Sequence, residues 1–111
     1  MELTREDALT LFRMMWSDMQ EKFGDNPTFE QRIEYKEWWC RKKFPNERVL
    51  KDCFLCAYTK GTDVVSCGRC PVDWGKDGRY KNSCEKWEDS GVDWRKSPIS
   101  EILALPERED V

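Results

Sequence analysis

Cys53-Phe-Leu-Cys56 and Cys67-Gly-Arg-Cys70-Pro71, with residues 57–66 between them and Cys84 beyond, form the stretch whose reading decides the expected fold. A Cys-x-x-Cys pair folds its backbone into a tight turn that aims both sulfurs at one point. Two such turns facing each other supply four thiolates and leave no coordination position for substrate. That is the donor set of a structural zinc, with Cys53, Cys56, Cys67 and Cys70 as ligands and Cys84 in reserve. A rubredoxin-like iron site would use the same thiolates, and spacing separates the two metals poorly. Three disulfides are the other reading of six cysteines. A thioredoxin-like pair fits less well, because neither Cys-x-x-Cys opens a helix after a strand.

The compartment bears on that choice. Met1-Glu-Leu-Thr-Arg-Glu-Asp7 has no basic, then apolar, export pattern, and no stretch approaches the roughly 18 apolar residues of a membrane span. The expectation is a cytoplasmic protein whose thiols stay reduced and prefer metal to disulfide. A chain of 111 residues forms one domain, and with 37% charged residues its core is modest. Its net charge of −3 argues against a protein that coats nucleic acid with a broad basic face.

Upstream of the cysteines, Thr4 and Asp7 have capping-box spacing. Ala8, Leu9, Leu11, Phe12, Met15, Trp16, Met19 and Phe23 then recur on one face, and Gly24 closes the helix. Asp25-Asn26-Pro27 leads to a second helix, capped by Thr28 with Gln31 and stopped by Pro45. On it Phe29, Ile33, Cys40 and Phe44 share one side, with Tyr35, Trp38 and Trp39 roughly opposite. A helix apolar on two sides packs on two sides, one against the first helix and one against the metal module. The other reading leaves Trp38 and Trp39 open to a partner. Cys40 reads as a buried thiol, and Arg41-Lys42-Lys43 suits the negative end of the helix dipole.

Residues 57–66 read as a short β-hairpin turning at Gly61, fixed by the metal at its two ends. Trp74 is expected to fold over the metal as a lid. Ser97 and Pro98 read as the N-cap and first position of a short helix carrying Ile99, Ile102, Leu103 and Leu105, ended by Pro106 before an acidic tail. The fold expected is a small α+β metal-stabilised domain: an N-terminal αα-hairpin packed on a zinc-ribbon-like β-hairpin module, with a short C-terminal helix. Residues 1–111 form that single domain, divided into the helical hairpin 1–46, the zinc-ribbon-like module 47–86 and the loop, short helix and tail 87–111.

Met15-Trp16, the two Cys-x-x-Cys pairs with Pro71, Asp73-Trp74, Cys84 and Ile102-Leu-Ala-Leu-Pro106 together resemble a group of small, uncharacterised four-cysteine zinc-binding proteins encoded by tailed phages and prophages of Gram-positive bacteria. The resemblance spans most of the chain and brings no catalytic residues. It implies a small phage product in a bacterial host, of a kind that binds a host protein, including components of antiviral defence. Trp38-Trp39-Cys40 is not part of that pattern.

Nothing in the chain reads as an enzyme. There is no histidine, hence neither the commonest general base nor the usual ligand of a catalytic zinc, and no phosphate loop or nucleophile elbow. The expectation is a non-enzymatic, zinc-stabilised module that binds or inhibits a host protein, with no membrane and no small-molecule substrate. Its expected anchors are Trp74, Tyr80, Trp87 and Trp94, with Trp38 and Trp39. The alternative is a nucleic-acid-binding zinc ribbon using Arg69, Lys76, Arg79, Lys81 and Lys86 with Tyr80 and Trp74.

Overall fold

The structure, a computed structural model, describes residues 4–43, 70–75, 82, 84–86 and 91–108. Helix α1 spans Arg5–Phe23, α2 Phe29–Lys43 and α3 Ile99–Leu103. The first helix starts where its sequence says it should. Thr4 Oγ1 accepts the Asp7 N–H at 3.1 Å, a cap worth about 1 kcal/mol. It ends at Gly24, whose φ of +81° is strained for any residue with a Cβ and whose N–H reaches Gln20 O at 2.7 Å. Between them Ala8, Leu9, Phe12, Met15, Trp16 and Met19 are buried. Their spacing repeats every three or four residues, so one stripe of α1 forms the centre of the interior.

Helix α2 begins with a reciprocal capping box. Gln31 N–H donates to Thr28 Oγ1 at 3.1 Å, and Thr28 N–H donates to Gln31 Oε1 at 2.9 Å. Its buried residues are Arg32, Tyr35, Lys36, Trp39 and Cys40: of the two sides expected to pack, Cys40 from one and Tyr35 and Trp39 from the other are buried, joined by two cations. Phe29 is 46% exposed; Phe44 lies outside the described residues. Two cationic side chains take core positions because their heads find partners. Arg32 donates from Nε to Pro27 O at 3.1 Å and from Nη1 to Trp94 O at 2.9 Å. Lys36 lays its stem inward and sets Nζ 3.9 Å from the Trp94 ring centroid.

Helix α3 packs on α1 and is too short to be stable alone. Its N-terminus is capped from a distance, and not by Ser97. Asp25, in the turn after α1, accepts the Ser100 N–H at 2.6 Å and the Ser100 hydroxyl at 2.8 Å; its backbone O accepts Ile99 N–H at 2.9 Å. Ser97 Oγ instead receives Asp93 N–H at 2.8 Å. The turn between α1 and α2 thereby holds the start of α3.

The remaining described segments close over α1 without regular structure. Val72 and Glu107 form an isolated antiparallel bridge, flanked by Asp73 N–H to Pro106 O at 2.8 Å and Arg108 N–H to Pro71 O at 2.7 Å. Among the described residues there is no strand, and no group of three or more His, Cys, Asp or Glu that could hold a metal ion. The expected α+β, metal-stabilised, zinc-ribbon-like fold is therefore corrected: the described chain is mostly helical, and apolar packing around α1 supplies its interior. The residues 57–66 assigned to a hairpin, with Cys53, Cys56 and Cys67, lie outside the described residues. No helix among the described residues is long and apolar enough to cross a membrane.

A buried polar knot ties the described loops together. Asp93 is 0% exposed. Its carboxylate accepts the N–H of Lys86 at 2.9 Å and of Arg95 at 2.8 Å, and the Arg95 guanidinium at 2.9 and 3.1 Å. Burial pushes its pKa upward, but the Arg95 side-chain bonds, the two backbone N–H groups and the Arg95 charge outweigh burial, leaving it below the ordinary 3.8. Lys86 in turn donates from Nζ to Trp74 O and Gly75 O, both at 2.9 Å. Gly91, at φ +87°, lets Lys86 pass: a Cβ there would meet Lys86 Cε at 3.2 Å. Asn82 completes the closure, accepting Trp74 N–H at 2.6 Å and donating to Val72 O at 3.0 Å.

Candidate partner-binding site

The aromatic residues named as anchors divide sharply once their surroundings are fixed. Trp74, expected as a lid and then as an exposed anchor, is 3% exposed. Its ring meets Phe12 edge-on with centroids 5.9 Å apart, and Phe12 meets Trp16 in the same way at 6.3 Å. The flanking charges Asp73 and Lys76 suggested a surface ring, but the backbone bonds from Asn82 and Lys86 turn Trp74 inward onto α1. Trp74 is core.

Trp39 is also buried, and its Nε1 donates to Asp18 at 2.8 Å, which links α2 to α1. Trp94 is half-buried between Phe29, 5.7 Å away, and the Lys36 ammonium, with its Nε1 on Glu85 at 3.1 Å. Tyr80 and Trp87 lie outside the described residues. Trp38 remains, 48% exposed and the most open large apolar side chain described.

Trp38 is exposed yet not loose. Its ring packs against Tyr35 at 5.4 Å with a 46° tilt, and Tyr35 meets Phe23 of α1 edge-on at 5.7 Å. Lys22 Nζ sits among all three rings, 5.5 Å from Phe23, 5.7 Å from Tyr35 and 5.7 Å from Trp38. Lys42 Nζ lies 4.9 Å from the Trp38 centroid, and Lys43 Nζ 5.3 Å from that of Trp39. Burial, then the charges of Asp18 and Glu21, hold the Tyr35 phenol above its ordinary pKa, so Tyr35 acts here as a neutral packing ring. The result is a ledge across the α1–α2 contact: a fixed indole face bordered by ammonium groups.

The α2 face carrying Tyr35, Trp38 and Trp39 is legible from 100° spacing. What spacing could not reveal is that the residues split, Trp39 inward and Trp38 outward, because that depends on where α1 crosses. Lys22 was missed altogether. It stands in the last turn of α1, where a lysine needs no explanation beyond the helix dipole.

Of the thiols, Cys70 and Cys40 are buried and Cys84 is half-buried, all within or against the core cluster. Cys70, the last of the four expected ligands, is thus buried in the core cluster, while Cys53, Cys56 and Cys67 lie outside the described residues. Compared with protein-family models, curated proteins and solved structures, the chain matches none.

Proposed function

We propose that this chain is a non-enzymatic protein-binding module whose anchor is Trp38. The observation that carries the reading is a large ring that is half exposed and yet held by Tyr35 and by the lysines on either side of it. A ring fixed in the unbound protein loses little conformational freedom on binding, and tryptophan is the residue most enriched among energetically dominant interface positions. In the context the sequence pattern implies, the module is a phage-encoded factor acting in the bacterial cytoplasm on a host protein, defence components included.

A structural Zn2+ held by Cys53, Cys56, Cys67 and Cys70, with Cys84 in reserve, belongs to the same proposal. Its support is the paired spacing and the anchorage of Cys70 against the core. Four thiolates fill the coordination shell of such an ion, so its role would be structural. Elemental analysis of purified protein should find one zinc per chain, kept by Cys84→Ser and lost by Cys56→Ser. A metal-free native protein would end this part of the proposal.

The binding reading is tested by affinity capture from host lysate with the wild-type chain and with Trp38→Ala in parallel. Trp38→Ala should stay folded, losing about 1–2 kcal/mol with the Tyr35 ring contact and the lysines that lie over the indole, which circular dichroism checks. Proteins retained by the first and lost by the second support the anchor. Identical capture by both would overturn it.

A further inference from the structure

Three lysines border the exposed indole and its buried neighbour, and their charges are not answered within the described residues. Lys22 and Lys42 face the Trp38 ring and Lys43 faces the Trp39 ring, and among the described residues none of the three forms an ion pair. The carboxylates of the same region are in part committed elsewhere. Asp18 takes the Trp39 N–H, and Glu37 lies 3.8 Å from Arg41. Glu21, whose charge is felt at Tyr35, is outnumbered by the three lysines. A chain of net charge −3 thus sets three ammonium groups against the faces of its most exposed ring and that ring's neighbour.

We infer that the Trp38 ledge docks an acidic protein segment, with apolar side chains covering the indole face and carboxylates meeting Lys22, Lys42 and Lys43. This rests on the protein-binding reading and names the chemistry of the partner. A cation seated on an aromatic face keeps its full charge, so it can serve the ring and a carboxylate at once. Carboxylates arriving at this rim meet three ammonium groups at contact range, against repulsion from Glu21 close by and from the chain as a whole, the latter screened by physiological salt. A nucleic acid fits less well. Tyr35 and Trp38 are tilted by 46° instead of offering parallel faces to successive bases, and a long polyanion would feel the net negative charge more than a short segment does.

The test is fluorescence polarisation with the full chain and three labelled probes: a glutamate-rich peptide with a central leucine, its lysine-for-glutamate counterpart, and an oligothymidine. The glutamate peptide should bind, more weakly as salt rises, and the lysine peptide should not. Lys22→Gln/Lys42→Gln/Lys43→Gln should weaken the glutamate peptide by about tenfold or more, through the association rate. Trp38→Ala should weaken it at all salt concentrations. Circular dichroism establishes that each variant is folded, and Arg13→Gln, a charge change near Glu107, serves as the control that leaves binding unchanged. Equal binding of the two peptides, indifference to the triple change, or tighter binding of oligothymidine would overturn the inference. Capture from lysate that needs Trp38 but ignores the three lysines would overturn it while leaving the protein-binding reading intact. Capture that ignores Trp38 removes both.

Discussion

Trp74→Ala should destabilise the protein strongly while leaving a folded state to measure. A buried tryptophan removes about 150–250 Å² from water. At about 25 cal/mol per Å² that is roughly 4–6 kcal/mol, close to the 3–5 kcal/mol typical of Trp→Ala in a core. The edge-on contact with Phe12 is lost as well, and through it the support Phe12 gives Trp16. The backbone bonds to Asn82 and Lys86 do not depend on the indole and survive, so the lower end of the range is expected. Against a total stability of about 5–15 kcal/mol, a loss near 3–4 kcal/mol is decisive. With a urea m-value of about 2 kcal/mol/M, the midpoint should fall by roughly 1.5–2 M. Far-UV circular dichroism is the right probe, since six tryptophans blur any fluorescence signal. Trp74→Phe, which keeps a ring against Phe12, should recover more than half the loss. A Trp74→Ala midpoint within experimental error of wild type would place the ring on the surface and refute this packing.

Asp93→Asn should cost about 3–5 kcal/mol, because it removes the charge opposite Arg95 and sets an amide NH2, itself a donor, against donors that now share the two carboxylate oxygens, the Lys86 N–H and the Arg95 guanidinium among them, at a fully buried site; a denaturation midpoint near wild type would show the knot to be incidental. Ser100, through its backbone N–H and hydroxyl, lowers the Asp25 pKa, and the hydrogen bonds to Asp93 do the same there against burial. A lowered folded-state pKa contributes stability that is present above the unfolded value of about 4 and is lost as pH falls through the folded one. Stability should therefore decline below about pH 4, and Asp25→Asn should flatten part of that decline; an unchanged acid limb would exclude Asp25 as the clip on α3. Trp16 Nε1 is buried with no hydrogen-bond partner among the described residues, so Trp16→Phe should stay within about 1 kcal/mol of wild type whereas Trp16→Ala loses about 3–5 kcal/mol. Equal losses in the two variants would mean that the indole N–H has an acceptor.

Helix α1 was readable almost residue by residue because three local signals agreed: the Thr4 cap, the apolar period and Gly24. The capping box of α2 was equally plain, but its inner face was not. Counting apolar side chains favours Phe29 and Ile33. The chain instead buries Arg32 and Lys36, whose partners, Trp94 O and the Trp94 ring, lie about 60 residues away in sequence. A longer separation, 75 residues from Ser100, hides Asp25 as the cap of α3, where the nearer Ser97 is the local candidate. Trp74 and Trp94 looked alike in sequence, each beside charges. One is core and the other half-buried, because Lys86 and Asn82 bind the backbone around the first. The cysteine spacing drew the reading toward a metal-centred α+β fold, whereas the described body is centred on α1. The ledge was half legible: the Trp38 face follows from helical period, but the Lys22 contribution needs the crossing of α1 and α2.

The division of the tryptophans, with Trp38 outward and Trp74 inward, underlies both the fold and the proposed docking surface. It is measured most directly by ¹⁹F NMR of 5-fluorotryptophan-labelled protein, with each resonance assigned by a single Trp→Phe change and its exposure read from the H2O-to-D2O isotope shift. Among the five tryptophans described, the account predicts the largest shift at Trp38, a smaller one at Trp94 and none at Trp16, Trp39 or Trp74. On addition of the glutamate-rich peptide, the Trp38 resonance should move first while that of Trp74 stays fixed. A solvent-exposed Trp74 beside a shielded Trp38 would contradict the account.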